Sequence, residues 1–195
     1  MGKCPFFNIF DQSTFLNLDL FSFDLMKRIV LLYAFALFTV AASGQQQNYQ
    51  THTLFMYSFT RFVQWPPEEN EGDFEIVVLG DSPIFSELKV MSERKRAGNR
   101  VIHVSKIGSI AEFKKGHVLY VSPDLSSKYQ EVSAKIGDNP VLLVTEQAAS
   151  PNKGFVNFVN NKDGKLAFEL NKPAIEKHRL KVSAELTRLA ITTVN

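Results

Sequence analysis

The chain has 195 residues, a 45% hydrophobic share and a formal net charge of +2. That length holds one domain, or a domain with an appendage. So small a charge argues against nucleic acid or an anionic membrane surface as partner, and the short basic run Glu93-Arg94-Lys95-Arg96 with Arg100 reads as a solvated loop or helix end.

Residues 1–25 are rich in Phe and Asp and carry no period. Met26-Lys27-Arg28 then supplies a short positive segment, Ile29 to Val40 is apolar apart from Thr39, and Ala42-Ser43-Gly44 places small residues at the −3 and −1 sites. Residues 26–44 thus read as a secretory signal peptide, too short in its apolar run to span a bilayer comfortably. Cleavage leaves Gln45 as the first mature residue, in the periplasm and with no membrane insertion. Translation is expected to start at Met26, which makes residues 1–25 a mis-assigned upstream segment or a disordered extension. The sole cysteine, Cys4, lies there. The mature chain, residues 45–195, is expected to form a single domain without thiol, disulfide or cysteine metal site. About 150 residues suffice to stabilise it through its core.

Along the mature chain, Leu54, Phe55, Phe59, Phe62 and Val63 follow a helical period, so a helix is predicted from about Tyr49 to Gln64. It should end at Trp65, because Pro66 pushes the preceding residue out of the α region. A polar loop from Pro66 to Gly72 leads to Phe74–Leu79, a strand apolar enough to be buried on both faces. Ser82 suits an N-cap and Pro83 the first turn of a helix carrying Ile84, Phe85, Leu88 and Met91. Val101–Val104 is a second strand, and Ser109 caps a short helix through Phe113 that ends at Lys114-Lys115-Gly116. His117–Val121 is a third strand, Ser126–Ile136 a helix, and Val141–Val144 a fourth strand after the Gly137–Pro140 turn. Gly154–Val159 and Lys165–Leu170 form a hairpin around Asp163-Gly164. Short helices over 171–178 and from about Ser183 close the chain. The alternation predicts an α/β fold: a three-layer sandwich with a mainly parallel sheet flanked by helices, ending in an antiparallel β-hairpin.

Several of these segments are similar to one family in the same order. The helix ending Phe59-x-x-Phe62-Val63-x-Trp65-Pro66, the Gly80-Asp81-Ser82-Pro83 segment and the His-led strand Gly116–Val121 each resemble the YfiR family. So do Pro140–Thr145, Gly154-x-x-Asn157-Phe158, and Phe168–Asn171 followed by Leu180-x-Val182-Ser183 and Leu186. The resemblance implies an exported bacterial protein that restrains a membrane-bound diguanylate cyclase, and it leaves room for a homodimer. Many relatives carry a cysteine immediately before the strand histidine, and some have disulfides that couple stability to redox state. Here the position is Gly116, so that control is not available.

No catalytic, phosphate-loop or dinucleotide motif is present in the sequence. His52, His103, His117 and His178 fall on different elements without metal-ligand spacing. The expectation is therefore a non-enzyme with no catalytic, cofactor or metal residues, and His117 is expected to be a hydrogen-bonded structural histidine. Candidate contacts to an inner-membrane sensor are Tyr57, Trp65, Pro66 and Tyr129. Trp65 has two readings, an interface anchor or a core plug beneath the adjacent loop. Gly80, Asp81 and Ser82 form a candidate small-ligand loop, at the strand end where parallel sheets bind ligands, although Asp81 opposes an anion there and Ser82-Pro83 is already accounted for as a cap. Three functions follow in order: a regulator binding the sensory domain of a cyclase or sensor kinase, a periplasmic ligand-binding module reporting to a transporter or kinase, and an enzyme with an unfamiliar site.

Overall fold

The computed structural model describes residues 49–150 and 153–194. The upstream segment, the signal peptide and the Gln45 start lie outside the described residues. Helix α1 spans Tyr49–Phe62 and turns directly into β1, Val63–Gln64. The helix stops three residues short of Trp65 for a tertiary reason: β1 pairs antiparallel with β9, Lys181–Val182, and the Ser183 N–H takes the Phe62 carbonyl at 2.9 Å. Proline alone would have released only the residue before it.

Strand β2, Phe74–Leu79, feeds α2, Ile84–Arg94. This helix begins one residue later than expected, yet Ser82 still serves its start, accepting from Ile84 N–H at 3.4 Å and, through its carbonyl, from Phe85 N–H at 3.1 Å. A two-residue strand β3, Arg96–Ala97, precedes β4, Arg100–Ile107. β4 is twice as long as its apolar core suggests. Only one of its faces is covered, so it buries Ile102 and Val104 while Val101, His103 and Ser105 face water. Ser109 and Glu112 make a reciprocal capping box on a single 3-10 turn, Ile110–Glu112. β5, Val118–Val121, leads into a 3-10 stretch from Pro123 that widens into α3, Tyr129–Ile136. β6, Leu142–Glu146, follows. The hairpin strands are β7, Val156–Asn160, and β8, Leu166–Asn171, with Phe158 opposite Phe168. α4, Lys172–Lys177, is capped by Asn171 and α5, Ala184–Leu189, by Ser183. A short parallel edge strand, β10 (Thr192–Val194), was not legible in the sequence.

Among the described residues the main sheet has the order β10-β8-β7-β6-β5-β2-β4-β3. From β4 through β7 every pairing is parallel, and the hairpin adds β8 antiparallel. The chain moves one way from β2 to β4 and the other way from β5 to β6. Right-handed crossovers then put α2 and α3 on opposite faces, and α1 packs beside α2. The central strands β5 and β6 are buried at every position, as two covered faces require. Phe59 fixes α1 to the sheet, lying 5.9 Å from Phe158 in a stacked pair and 5.5 Å from Phe168 edge-on.

Candidate functional site

In the parallel run β4-β2-β5-β6-β7 the order in which the chain adds strands reverses between β2 and β5, and open α/β sheets bind ligands beyond the carboxyl ends of the strands at such a point. Here the loops leaving β2 and β5 meet. Gly80 has φ +90°, and a Cβ on it would come within 2.2 Å of the Ser122 hydroxyl, so only glycine admits that approach. A crevice of about 350 Å³ opens beside them, lined by Asp81, Lys106, Ile107, Asp124 and Leu125 together with Gly80 and Ser122.

A buried polar group is also assembled from three elements. Glu146 closes β6 and is 3% exposed; it accepts the Tyr120 hydroxyl from β5. His52, on α1, places Nε2 3.2 Å from Glu146 Oε1, outside hydrogen-bond alignment, and its ring meets Tyr49 at 4.6 Å and Phe158 at 5.0 Å. Burial, and then the Glu146 charge, push the Tyr120 phenol far above its ordinary value, and the same two causes raise Tyr49. The Ser82 side chain acts on both phenols in the opposite direction. Chemically this group holds charge and protons in place, because Tyr120, His52 and Glu146 are shielded from solvent. Sequence reasoning missed it: Glu146 sits at the end of an apolar strand and His52 nearly a hundred residues away. The faint signal was a carboxylate continuing a fully buried run.

The expected site residues do not converge. Gly80, Asp81 and Ser82 do stand at the crevice, with Asp81 exposed and ion-paired to Lys106 at 2.7 Å, which holds its carboxyl below the ordinary range. Tyr57 on α1 and Tyr129 at the start of α3 are half-buried on helices that cover opposite faces. Lys95 lies over the Tyr57 ring at 5.6 Å. Pro66 is half-buried, whereas Trp65 is only 8% exposed, edge-on to Phe74 at 5.0 Å and donating its indole N–H to the His117 carbonyl at 3.3 Å. Trp65 therefore sits beneath the loop that follows it, packed against Phe74.

At the opposite, amino edge, His117 ties the loop before β2 to the sheet. Its Nδ1 accepts the Glu75 N–H at 3.0 Å, which puts the ring proton on Nε2, donating to the Glu69 carbonyl at 3.0 Å. Arg100 closes the same loop by donating to the carbonyls of Glu69, Gly72 and Asp73 at 2.7–2.9 Å, and its Nη2 lies 2.8 Å from His117 Nε2. A second proton on the imidazole would face an N–H and a guanidinium. Burial first, and Arg100 among the charges, hold the His117 pKa below its ordinary 6.5. The unfolded chain therefore takes up the proton first as pH falls. The stability from His117 is complete above about pH 6.5 and is lost as pH drops through the folded value. Urea midpoints should fall between pH 7.5 and 5, and His117→Asn should flatten that part of the profile. An equally steep decline in the variant would exclude His117 as its source.

The Gly154-x-x-Asn157 pattern also has a physical reason. Gly154 runs so close to β6 that a Cβ would stand 2.7 Å from the Leu143 carbonyl oxygen. Its N–H donates to the Thr145 hydroxyl at 2.8 Å, and that hydroxyl donates in turn to Asn157 Oδ1 at 2.9 Å. Asn157 also accepts from Ala148 N–H and donates to the Ala148 carbonyl and to Glu169. One buried amide thus joins β6, β7 and β8.

Among the described residues, no group of three or more His, Cys, Asp or Glu side chains is placed to hold a metal, and no helix is long and apolar enough to cross a membrane. A comparison with curated proteins finds no match. Residues 49–191 match the protein family described as YfiR/HmsC-like, a span running from the first turn of α1 to the residue before β10. With that match covering the whole α/β unit, the chain belongs to the YfiR/HmsC-like family.

Proposed function

We propose that the protein is an exported, non-catalytic periplasmic regulator that binds the outward-facing sensory domain of an inner-membrane diguanylate cyclase and holds it inactive. The observation that carries this reading is the family match over residues 49–191. The regulator favours the inactive state of the sensor and shifts the equilibrium by its difference in affinity for the two states. Because Tyr57 and Tyr129 stand on opposite faces, one sensor surface engages one of them. The α1 face with Tyr57, where Lys95 lies over the ring at 5.6 Å, is the contact assigned here.

The test is capture of the partner by tagged protein from its own detergent-solubilised membranes, followed by reconstitution. A captured inner-membrane cyclase whose turnover falls about five- to a hundred-fold when the purified protein is added would support the reading. A captured sensor kinase would move the pathway but keep the mechanism. No membrane partner at all would favour a soluble ligand-binding module reporting to a transporter or kinase.

A further inference from the structure

We propose that the crevice at the carboxyl edge, between the loops leaving β2 and β5, binds a small organic ammonium ion. Three independent observations converge there. The crevice, at about 350 Å³, has room for a short aliphatic amine. Ser122, which lines it, is fully buried, and its hydroxyl has no hydrogen-bond partner among the described residues. Such a group costs stability unless something satisfies it. The third observation is the charge around it: with Asp81 held by Lys106, the exposed carboxylate of Asp124 is the uncompensated charge among the lining side chains.

The sign of the charge selects the ligand. Among the lining side chains Lys106 and Asp81 are committed to each other at 2.7 Å, so the charge left over is that of Asp124, and an anion would meet that carboxylate and no uncommitted positive group. An ammonium ion has the complementary chemistry. It donates N–H bonds to the Ser122 hydroxyl oxygen and to the Asp124 carboxylate, while its methylene chain lies on Ile107 and Leu125. A smaller hollow of about 240 Å³ at the amino edge, lined by Glu69, Lys114, Lys115 and Pro140 among others, lacks both features: its side chains leave no buried polar atom unpartnered, and with Lys115 paired to Glu69 at 3.0 Å its remaining charge is the cation Lys114.

The site is independent of the partner reading above, and its test uses the purified protein alone. Two-dimensional amide spectra are recorded during titration with n-butylamine, with 1-butanol as the neutral isostere and sodium butyrate as the anion. The expected result is a saturable shift with butylamine only, confined to the amides of Gly80, Asp81, Gly108 and Ser122–Leu125. Asp124→Asn, an exposed change that leaves the fold intact, should weaken the amine about tenfold, and Ser122→Ala should weaken it as well. Shifts that fail to saturate, that appear equally with butanol or butyrate, or that survive both substitutions would overturn the proposal. Binding of amino acids but not of simple amines would also refute it, since a carboxylate would then be part of the recognised group.

Discussion

Trp65→Ala lowers the stability of the fold by about 3–5 kcal/mol, the cost of emptying a core site of an aromatic side chain. The indole fills the space under the Pro66–Asp73 loop against Phe74 and the His117 ring, the latter 6.0 Å away. The hydrogen bond it loses is the lesser term. The His117 carbonyl that accepts the indole N–H also accepts Leu142 N–H at 2.8 Å, so it is not orphaned. Trp65→Phe should recover most of the loss, because it restores volume without the N–H. Trp65 is the only tryptophan, so unfolding of the variants is followed by far-UV circular dichroism in urea rather than by fluorescence. An unchanged midpoint in Trp65→Ala, with loss of partner capture, would instead make the residue an interface anchor.

Asn157→Ala should cost a similar amount, about 3–5 kcal/mol, by a different route. The cavity is small, but the Ala148 N–H and carbonyl and the Thr145 hydroxyl lose their partner in a buried place, at about 1–3 kcal/mol for each orphaned group. Asn157→Asp is the sharper test. It keeps the acceptor that serves Thr145 and Ala148 N–H, but it turns the amide donor towards Ala148 O and Glu169 into a carboxylate. Burial alone would raise the Glu169 carboxyl; hydrogen bonds from Asn157 and from Lys153 instead hold it below its ordinary value. A second carboxylate removes one of those donors and adds repulsion. The Asp variant should therefore be no more stable than the Ala variant at pH 7 and should gain on it as pH falls towards the carboxylate range. If Asp equals wild type at pH 7, the amide donors contribute nothing and the network argument fails.

The hairpin was legible because two-residue alternation and an Asp-Gly turn are local signals; in the structure Asn161 closes that turn by accepting from Asp163 and Lys165 N–H. The cap at Ser109 was legible for the same reason, needing only residues two or three positions away; Asn171 and Ser183, read only as the starts of short helices, cap them by the same short reach. The early end of α1 was not, since it depends on β9, over a hundred residues later. Nor was the length of β4, where half the residues are polar because, among the described residues, α2 covers one face and the other is left exposed. The candidate loop at Gly80–Ser82 was found through topology, yet the residues that give it chemical character came from elsewhere in the chain.

By itself the sequence determined the order and kind of the main elements, the mostly parallel sheet, the closing hairpin and the family, all of which follow from short-range periodicity, capping and motifs. Only the tertiary structure decided that Trp65 is buried beneath its loop, that burial and the nearby Arg100 hold the His117 pKa low, and that His52, Tyr120 and Glu146 come together in one buried group. The reason is range. A helix or turn is stabilised by neighbours a few residues apart, whereas a buried charge or an unpartnered hydroxyl is defined by which distant strands end side by side.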